Sequence, residues 1–451
     1  MKRKFQLILF LLNAALLFLC FNFSNCQTIK ETDEEIKMPP QIRMLRVYGG
    51  NDEKLPPVIT MENTKSSAEV PVGESFVTIE FDVDAIAPPN LYAKFVHCTA
   101  DWKEDDNVFL NDFIFSRTSI ISWTSSPMLT SYYSYRGKIK VPDEHVKFQF
   151  AGNWKMKLYD YYNDTIILAE AKLFVVKPKV SCRLSFISDM YQPSHRVSSI
   201  SFIIEALASS QQILSENQLN TVVIYRNHRW NEPYYITQNS SLEKNENMYK
   251  YKLSTLIAGF GMTGKLFRIA GLPAENTYRV LNLANIAQYP VSNKPVRFPI
   301  SDLIRNGTFY EYDDDGAMIT STISSFNDNY VYIEFLLDPE GRVSKEDVFV
   351  AGSFNNWKPD DKWKMYWDES DRLYHLRQWV RRGRHNYLYA TGKYDYGDNK
   401  LTNLSYEEFE GNTASSGQTF IAFVYYREFD YGGYDALIGV GAGNIFSLYR
   451  R

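Results

Sequence analysis

Apolar and polar residues alternate with a period of two along much of the chain. The alternation is clearest in residues 77–83, 146–150, 331–335 and 421–425. Because successive side chains of a strand point to opposite faces of a sheet, this pattern is typical of half-buried β-strands. Sustained helical periodicity is hard to find. The sequence therefore predicts an all-β chain.

Composition favours strands that pack as sandwiches. The chain contains 32 Tyr and 29 Phe residues, and aromatic residues are enriched in strands. Clusters of Gly, Pro, Asn and Asp separate the alternating segments, as at Gly152-Asn153, where we expect a turn. Short strands between turn signals favour tandem β-sandwich domains over a parallel sheet with crossover helices.

Two breaks in the pattern divide the chain. Lys177-Pro178-Lys179 follows a predicted strand, and residues 321–328 are rich in Ser, Thr and Asn. The segment 27–39 is acidic and poor in apolar residues, so we expect a flexible arm there. The predicted organisation is a signal peptide (1–26), an N-terminal sandwich (27–178), a middle sandwich (179–325) and a C-terminal sandwich (326–451).

The N-terminus has the pattern of an export signal. A basic head at residues 2–4 leads into an apolar run over residues 7–19, which is short for a membrane span of roughly 20 residues. We predict cleavage after Cys26, which would leave Gln27 as the first residue. Lipidation at Cys26 is the alternative, but the preceding Phe23-Ser24-Asn25 fits a lipoprotein signal poorly.

Charge and cysteine content narrow the choice of partner and compartment. Without the first 26 residues the chain keeps 46 basic and 53 acidic residues, a net charge of about −7. This balance argues against a nucleic-acid partner, which requires a basic face. Cys98 and Cys182 remain, without the paired spacing of a zinc site. Whether they form a disulfide is left open by the sequence.

Residue types that carry out catalysis or bind metals do not form a recognisable motif. The six histidines are scattered, and His97 beside Cys98 lacks a Gly-x-Ser-x-Gly or oxyanion-hole loop. Three consecutive carboxylates in Asp313-Asp314-Asp315-Gly316 point in different directions, whereas calcium loops alternate their ligands. We therefore predict a non-enzymatic protein with no catalytic, cofactor-binding or metal-binding residues.

One basic cluster surrounds a predicted turn at Gly383. Its members are Arg377, Arg381, Arg382 and Arg384. The simplest interpretation is a charged hairpin tip. The functional interpretation is a surface that contacts acidic groups of a partner or of lipid headgroups.

The C-terminal segment resembles the early-set, glycogen-binding type of Ig-like module. The resemblance rests on residues 348–357, which end in Gly-Ser-Phe-Asn-Asn-Trp, and on residues 383–389. We expect Phe354 to pack inward and Asn355 to bond its own backbone and shape the loop. Modules of this kind also suggest an alternative function, glucan binding, in which exposed indole rings stack on sugars: Trp357, Trp363 and Trp367.

A wider set of motifs resembles the plug protein family of the type IX secretion system. The landmarks are residues 42–47, 97–102, 132–135, 141–142, 151–156, 226–231, 309–316, 425–427 and 435–439. Arg226 stands where this family usually has Gln, and its Gly-Asn-Glu-Phe-Arg segment is only partly present at residues 264–268. The tail over residues 440–451 runs past the usual end. These departures affect the expected partner surface more than the family assignment.

The resemblance implies a periplasmic, monomeric protein that binds the giant outer-membrane β-barrel translocon of this system. Plug proteins of the family occlude the periplasmic opening of that barrel while no cargo is engaged. Binding should be reversible, which suggests a polar interface of moderate size. The Arg cluster is then the predicted partner-binding surface, and glucan binding remains the alternative.

Overall fold

The computed structural model describes residues 39–61, 72–111, 114–188, 199–208, 215, 217–242, 253–259, 264–308, 315–413 and 416–445. The predicted signal peptide, Cys26 and the predicted arm as far as residue 38 lie outside the described residues. From Pro40 onward the chain forms one compact unit. Within the described ranges, no helix is both long and apolar enough to cross a membrane.

The first sandwich is built from two sheets, one of four strands in the order β1-β3-β7-β6 and one of five in the order β2-β9-β8-β4-β5. Apolar side chains from both sheets, among them Phe81 and Phe95, form its core. The strands are β1 (Gln41–Gly49), β2 (Val58–Thr60), β3 (Val77–Asp84), β4 (Leu91–Cys98), β5 (Arg117–Thr118), β6 (Ser122–Ser125), β7 (Tyr135–Val141), β8 (Gly152–Asp160) and β9 (Asn163–Val176).

The second sandwich joins a sheet in the order β10-β11-β15-β14 to a sheet in the order β13-β12-β25-β26. Its core includes Ile204, Phe267, Ile224 and Phe420. The strands are β10 (Val180–Ser188), β11 (Ser199–Ala208), β12 (Thr221–Arg226), β13 (Tyr234–Thr237), β14 (Ser254–Gly259), β15 (Gly264–Pro273), β25 (Gln418–Glu428) and β26 (Tyr434–Ile445).

The third sandwich contains a sheet β16-β23-β20, with β24 beside β23, and a sheet β17-β19-β22-β21, with β18 beside β19. The third sandwich also contains the short helix α1 (Glu407–Glu410) and 3-10 turns at Ser325–Asn327, Ser353–Asn355 and Asp361–Trp363. A further 3-10 turn, Asp430–Gly432, lies in the second sandwich. The strands are β16 (Arg279–Asn282), β17 (Val296–Arg297), β18 (Asp302–Leu303), β19 (Tyr330–Asp338), β20 (Asp347–Gly352), β21 (Tyr366–Asp368), β22 (Leu373–Arg381), β23 (Arg384–Asp395) and β24 (Lys400–Ser405).

The all-β prediction is confirmed, but the strand pairing crosses the predicted boundary at residue 325. Strands β16 to β18 precede that boundary and pair with β23 and β19 of the third sandwich. Strands β25 and β26, at the end of the chain, pair with each other and with β12 of the second sandwich. The second sandwich is thus assembled from two distant segments of the chain. The predicted break at Lys177-Pro178-Lys179 does connect β9 to β10.

Two local predictions in the first sandwich are wrong. Residues 146–150 form a loop rather than a strand, because Phe148 and Phe150 cover the sandwich edge through aromatic contacts instead of pairing with a neighbouring strand. The expected turn at Gly152-Asn153 is the start of β8. Glycine is required at 152 because a Cβ there would lie 2.3 Å from Nε2 of His97.

Three of the four segments predicted as half-buried strands are confirmed as strands, namely residues 77–83, 331–335 and 421–425, but β3 and β25 are buried on both faces. In β3 the polar Glu80 and Asp82 are as inaccessible as the apolar Phe81 between them. In β25 the residues from Phe420 to Tyr426 are all buried. Each of these strands therefore lies in a sheet covered by a neighbouring sandwich as well as by its own.

Candidate functional site

Two of the sequence landmarks lie side by side on adjacent strands. Antiparallel pairing of β4 with β8 sets His97 opposite Trp154 and Cys98 opposite Asn153. His97 is fully buried, with Nδ1 at 2.6 Å from an Asp105 carboxylate oxygen and Nε2 at 3.3 Å from the Ala151 carbonyl. The imidazole therefore holds the loop that carries Asp105 against the residue that precedes β8.

These landmarks form the joint between the first and second sandwiches. The Tyr425 hydroxyl donates to Asn153 Oδ1 at 2.7 Å, and the Trp102 indole donates to the Tyr225 hydroxyl at 2.9 Å. Beside them the rings of Phe174 and Phe423 stack with centroids 4.0 Å apart. Every polar group named here is buried and paired, as polar groups are in a domain core.

A buried ion-pair network joins the first sandwich to the third. Arg46 donates from Nε to Glu80 at 3.0 Å and from Nη1 to the Met318 carbonyl at 3.0 Å. Arg381 of β22 forms an ion pair with the same Glu80 carboxylate and donates to Asp328 at 3.0 Å. Buried charges are tolerated only when they are paired in this way.

A second carboxylate, Asp82, extends the network along β3. It accepts a hydrogen bond from Arg136 Nε at 2.6 Å and another from the Tyr330 hydroxyl at 2.8 Å. Burial alone would raise the pKa of Glu80, but the guanidinium groups of Arg46 and Arg381 outweigh it and hold that pKa far below its ordinary range. Glu80 is therefore ionised at neutral pH.

The landmark at residues 226–231 forms a third joint, between the second and third sandwiches. The Arg229 side chain is fully buried and forms ion pairs with Glu232 and Glu275. Glu232 in turn accepts from the Tyr406 hydroxyl at 2.8 Å, and the Arg229 guanidinium lies 4.5 Å from the centre of the Tyr406 ring. Arg226, which stands where the plug family usually has Gln, is buried as well and donates hydrogen bonds to Gln418 and to the Pro273 carbonyl.

The predicted Arg cluster is not a surface cluster. Arg381 is buried in the ion-pair network, and Arg382 is fully buried, donating to the carbonyls of Leu283 at 2.6 Å and Tyr289 at 2.7 Å. Arg384 is half-buried and starts β23, and Arg377 is half-exposed and bonded to Glu334 at 3.0 Å. Two of the four side chains are therefore committed to internal contacts and unavailable to a partner.

The predicted sugar-stacking tryptophans do not form an open face. Trp357 is 1% exposed and donates its indole N–H to the Gly316 carbonyl at 2.9 Å. Trp363 is half-buried and stacks on Phe354 with centroids 4.6 Å apart. Trp367 packs against the core of the third sandwich. Because Trp357 points inward and Trp363 is covered on one side, these residues do not support glucan binding.

The loop motif that contains Trp357 folds as its sequence predicts. Asn355 accepts from the Gly352 amide at 2.9 Å and donates to the Val350 carbonyl at 2.9 Å. Phe354 packs against the core of the third sandwich. The assignment of this sandwich to the early-set type stays a prediction.

The remaining candidates have ordinary structural partners. Cys98 and Cys182 are free thiols. Asp315 accepts from Asn227 at 3.3 Å, while residues 313–314 of the acidic turn lie outside the described residues.

A cluster that sequence reasoning missed brings ligand atoms of three residues within 4.8 Å of one another: Asp368, Asp371 and His375.

That cluster is already internally bonded. His375 has Nε2 at 3.0 Å from Asp371 and Nδ1 at 3.3 Å from Glu334. Both ring nitrogens are therefore engaged by carboxylates, and this arrangement alone does not indicate a metal.

A surface that the sequence analysis also missed lies at the β8–β9 turn. The rings of Tyr161 and Tyr162, 69% and 74% exposed, meet edge to face at 5.8 Å. Beside them Tyr92 stacks on Tyr159 with centroids 5.3 Å apart. We call this surface the tyrosine tip: Tyr92, Tyr159, Tyr161, Tyr162, Ile166 and Ile167. Exposed aromatic residues are enriched at protein interfaces, and the adjacent Tyr161-Tyr162 at a turn is the signal that could have found it.

Comparison with known proteins agrees with the fold and with the resemblance. One similar solved structure is the crystal structure of a hypothetical protein from Parabacteroides merdae ATCC 43184. The two sequences are 20% identical, and the structures align with a TM-score of 0.70. The alignment covers 90% of this chain and 97% of the Parabacteroides chain. At this identity the likeness shows the fold alone. No curated protein matches the chain.

The first sandwich has a match of its own. Residues 42–177 match the family described as Type 9 secretion system plug protein 1st domain. The match ends beside the predicted boundary at residue 178. Residues 42–177 are therefore similar to the first domain of type 9 secretion system plug proteins, which confirms the resemblance for this part of the chain.

Proposed function

We propose that this protein is a non-enzymatic periplasmic plug that binds the outer-membrane translocon barrel of the type 9 secretion system and occludes it when no cargo is engaged. The observation that carries the proposal is the match of residues 42–177 to the plug first-domain family. Export by the signal peptide at residues 1–26 would deliver a monomer to the periplasm.

The three buried joints support a mechanical role. A stopper for a wide pore has to keep its shape under load, and flexible connections between domains would let it deform. Here Glu80, Glu232 and Tyr425 each pair with a residue of a neighbouring sandwich inside a buried contact. Such joints differ from the loose interfaces that allow domains to move.

The tyrosine tip is the surface that we assign to the barrel contact. It lies within the plug first domain and combines exposed aromatic rings with exposed Ile166 and Ile167. Tyrosine supplies contact area and a hydroxyl at low entropic cost, which suits a reversible and partly polar interface. The tip replaces the Arg cluster as the expected partner surface.

The test is affinity purification of the tagged protein from gently solubilised envelopes of its own host. We expect one giant outer-membrane barrel to be recovered, and to be recovered best when cargo is scarce. The double variant Tyr161→Ser/Tyr162→Ser should lose the barrel, whereas Tyr366→Ser, a half-exposed tyrosine of the third sandwich, should retain it. Recovery of no barrel with the wild-type protein would refute the plug function, and equal recovery with the double variant would refute the assigned surface alone.

A strain that lacks the protein gives an independent measurement. If the barrel is left open, large hydrophilic antibiotics should enter faster, and expression of the wild-type chain should reverse this entry. Unchanged entry in that strain would contradict occlusion even if the barrel binds.

A further inference from the structure

A cavity of about 220 Å³ lies where the three sandwiches meet. Strands β1, β8 and β9 of the first sandwich form one wall. The loop between β12 and β13 and the loop after β20 form the others, so each sandwich contributes to the lining. A water molecule occupies about 30 Å³ of liquid, so this space holds several waters or one short side chain.

Three lysines line the cavity, and two of them form no ion pair within the residues that the structure describes. Lys172 donates from Nζ to the Trp230 carbonyl at 3.2 Å and lies 4.8 Å from the centre of the Trp102 ring. Within the part of the chain that the structure describes, neither Lys172 nor Lys358 has a carboxylate at ion-pair distance. Lys155 has one distant partner, Glu104 at 3.5 Å.

The acidic side chains of the lining do not balance this charge. Glu53 is bound to Arg46 at 2.8 Å and accepts from the Thr320 amide at 2.7 Å, so it is occupied within the ion-pair network. Glu170 is exposed. Burial, and then the ammonium groups of Lys358 and Lys155, lower the pKa of Lys172 to about 7. The cavity is therefore short of negative charge.

We propose that this cavity binds the carboxylate of an acidic side chain carried on a peptide loop. Val47, Ala171 and Met318 supply apolar walls for the hydrocarbon stem of such a side chain, and the lysines supply its counter-charge. A lysine ammonium acts as a point charge for either a carboxylate or a phosphate. The apolar walls favour a carboxylate that is carried on a hydrocarbon stem over a free phosphate. The arginine of the lining, Arg46, is already committed to Glu80 and Glu53. This inference does not rest on the proposed plug function.

The test uses the mature full-length chain and two probes of the same shape, acetyl-glutamate-amide and acetyl-glutamine-amide. Calorimetry measures binding, and trace acetylation read by mass spectrometry measures the reactivity of the Lys172 amine. We expect the glutamate probe to bind and to slow acetylation of Lys172, because a bound carboxylate favours the unreactive ammonium. The glutamine probe should do neither.

Variants locate the site. Lys172→Met and Lys358→Met should each weaken binding of the glutamate probe about tenfold or more, since each removes a counter-charge. Lys358 is exposed, so its variant remains informative if Lys172→Met fails to fold. Lys157→Met is the matched control, because Lys157 is paired with Glu104 at 2.7 Å and lies outside the cavity lining.

Several outcomes would overturn the proposal. Equal binding of the two probes would exclude recognition of charge, and unchanged binding by Lys358→Met and Lys172→Met would exclude this cavity. Tighter binding of inorganic phosphate than of the glutamate probe would reassign the ligand to phosphate.

Discussion

Arg381 and Glu80 lie 301 positions apart in the chain and form a buried ion pair that joins β22 of the third sandwich to β3 of the first. The pair is part of a network in which Arg46 and Asp328 also take part. Because both side chains are almost inaccessible, neither charge can be compensated by water if its partner is removed. The pair therefore holds two sandwiches in one arrangement.

The first prediction concerns this pair. Arg381→Met should lower the free energy of unfolding by about 3–5 kcal/mol, because it leaves Glu80 with fewer buried counter-charges. Arg377→Met is the control on the same strand, since Arg377 is half-exposed and its pairing with Glu334 is worth less than about 1 kcal/mol. Urea denaturation measures both variants. Equal losses would show that burial of the network does not matter.

The second prediction concerns pH. The arginines around Glu80 hold its folded-state pKa far below the ordinary 4.5, although burial acts in the opposite direction. A carboxylate of this kind stabilises the folded state above its unfolded-state pKa, and this contribution is lost as the pH falls. The stability difference between wild type and Glu80→Gln should therefore shrink between about pH 6 and about pH 3. A pH-independent difference in urea denaturation would contradict an ionised Glu80.

The third prediction concerns Gly152. Its φ is +151°, and a Cβ would lie 2.3 Å from His97 Nε2 and 3.0 Å from the Asp435 carbonyl oxygen. Gly152→Ala should lower the melting temperature by roughly 3–10 °C. Gly341→Ala is the control, because Gly341 also has positive φ but its Cβ would meet nothing closer than 3.7 Å. A similar loss in both variants would attribute the effect to backbone conformation instead of the close approach.

The fourth prediction concerns the thiols. Burial raises the pKa of Cys98 and of Cys182 to about 12, so at pH 8 only about one thiol in ten thousand is ionised. Both should react slowly with Ellman's reagent in the folded protein and fully after unfolding. Mature protein purified without reductant should still titrate two thiols, and the loss of both would indicate a disulfide.

Strands that are specified by local alternation could be predicted from the sequence. Residues 331–335 and 421–425 are strands. The landmarks at residues 425–427 and 435–439 lie on paired strands, with Tyr425 opposite Leu437 and Arg427 opposite Asp435. The shape of the Gly352–Trp357 loop could also be predicted, because Asn355 bonds backbone atoms of its own segment. These features depend on neighbours in the sequence or on one adjacent strand.

Features that depend on residues distant in the sequence could not be predicted. Glu80 and Asp82 occupy the polar positions of an alternating strand, and nothing near them in sequence reveals that Arg381 and Tyr330 cover that face. For the same reason the spacing of the Arg cluster could not show that Arg382 is buried. The tyrosine tip was missed because alternation identifies strands and not the exposed turns between them.

The return of β25 and β26 to the second sandwich has a consequence for biosynthesis. Strand β12 pairs with β25, so its sheet lacks two of its four strands until residues 418–445 have been made. The first sandwich is complete in sequence by Val176 and can fold early, whereas the apolar side chains of β11 and β12 must wait for the whole third sandwich to be synthesised. A nascent or truncated chain therefore exposes the apolar face of an incomplete sheet. Such a chain has to be kept unfolded until β25 and β26 have been made.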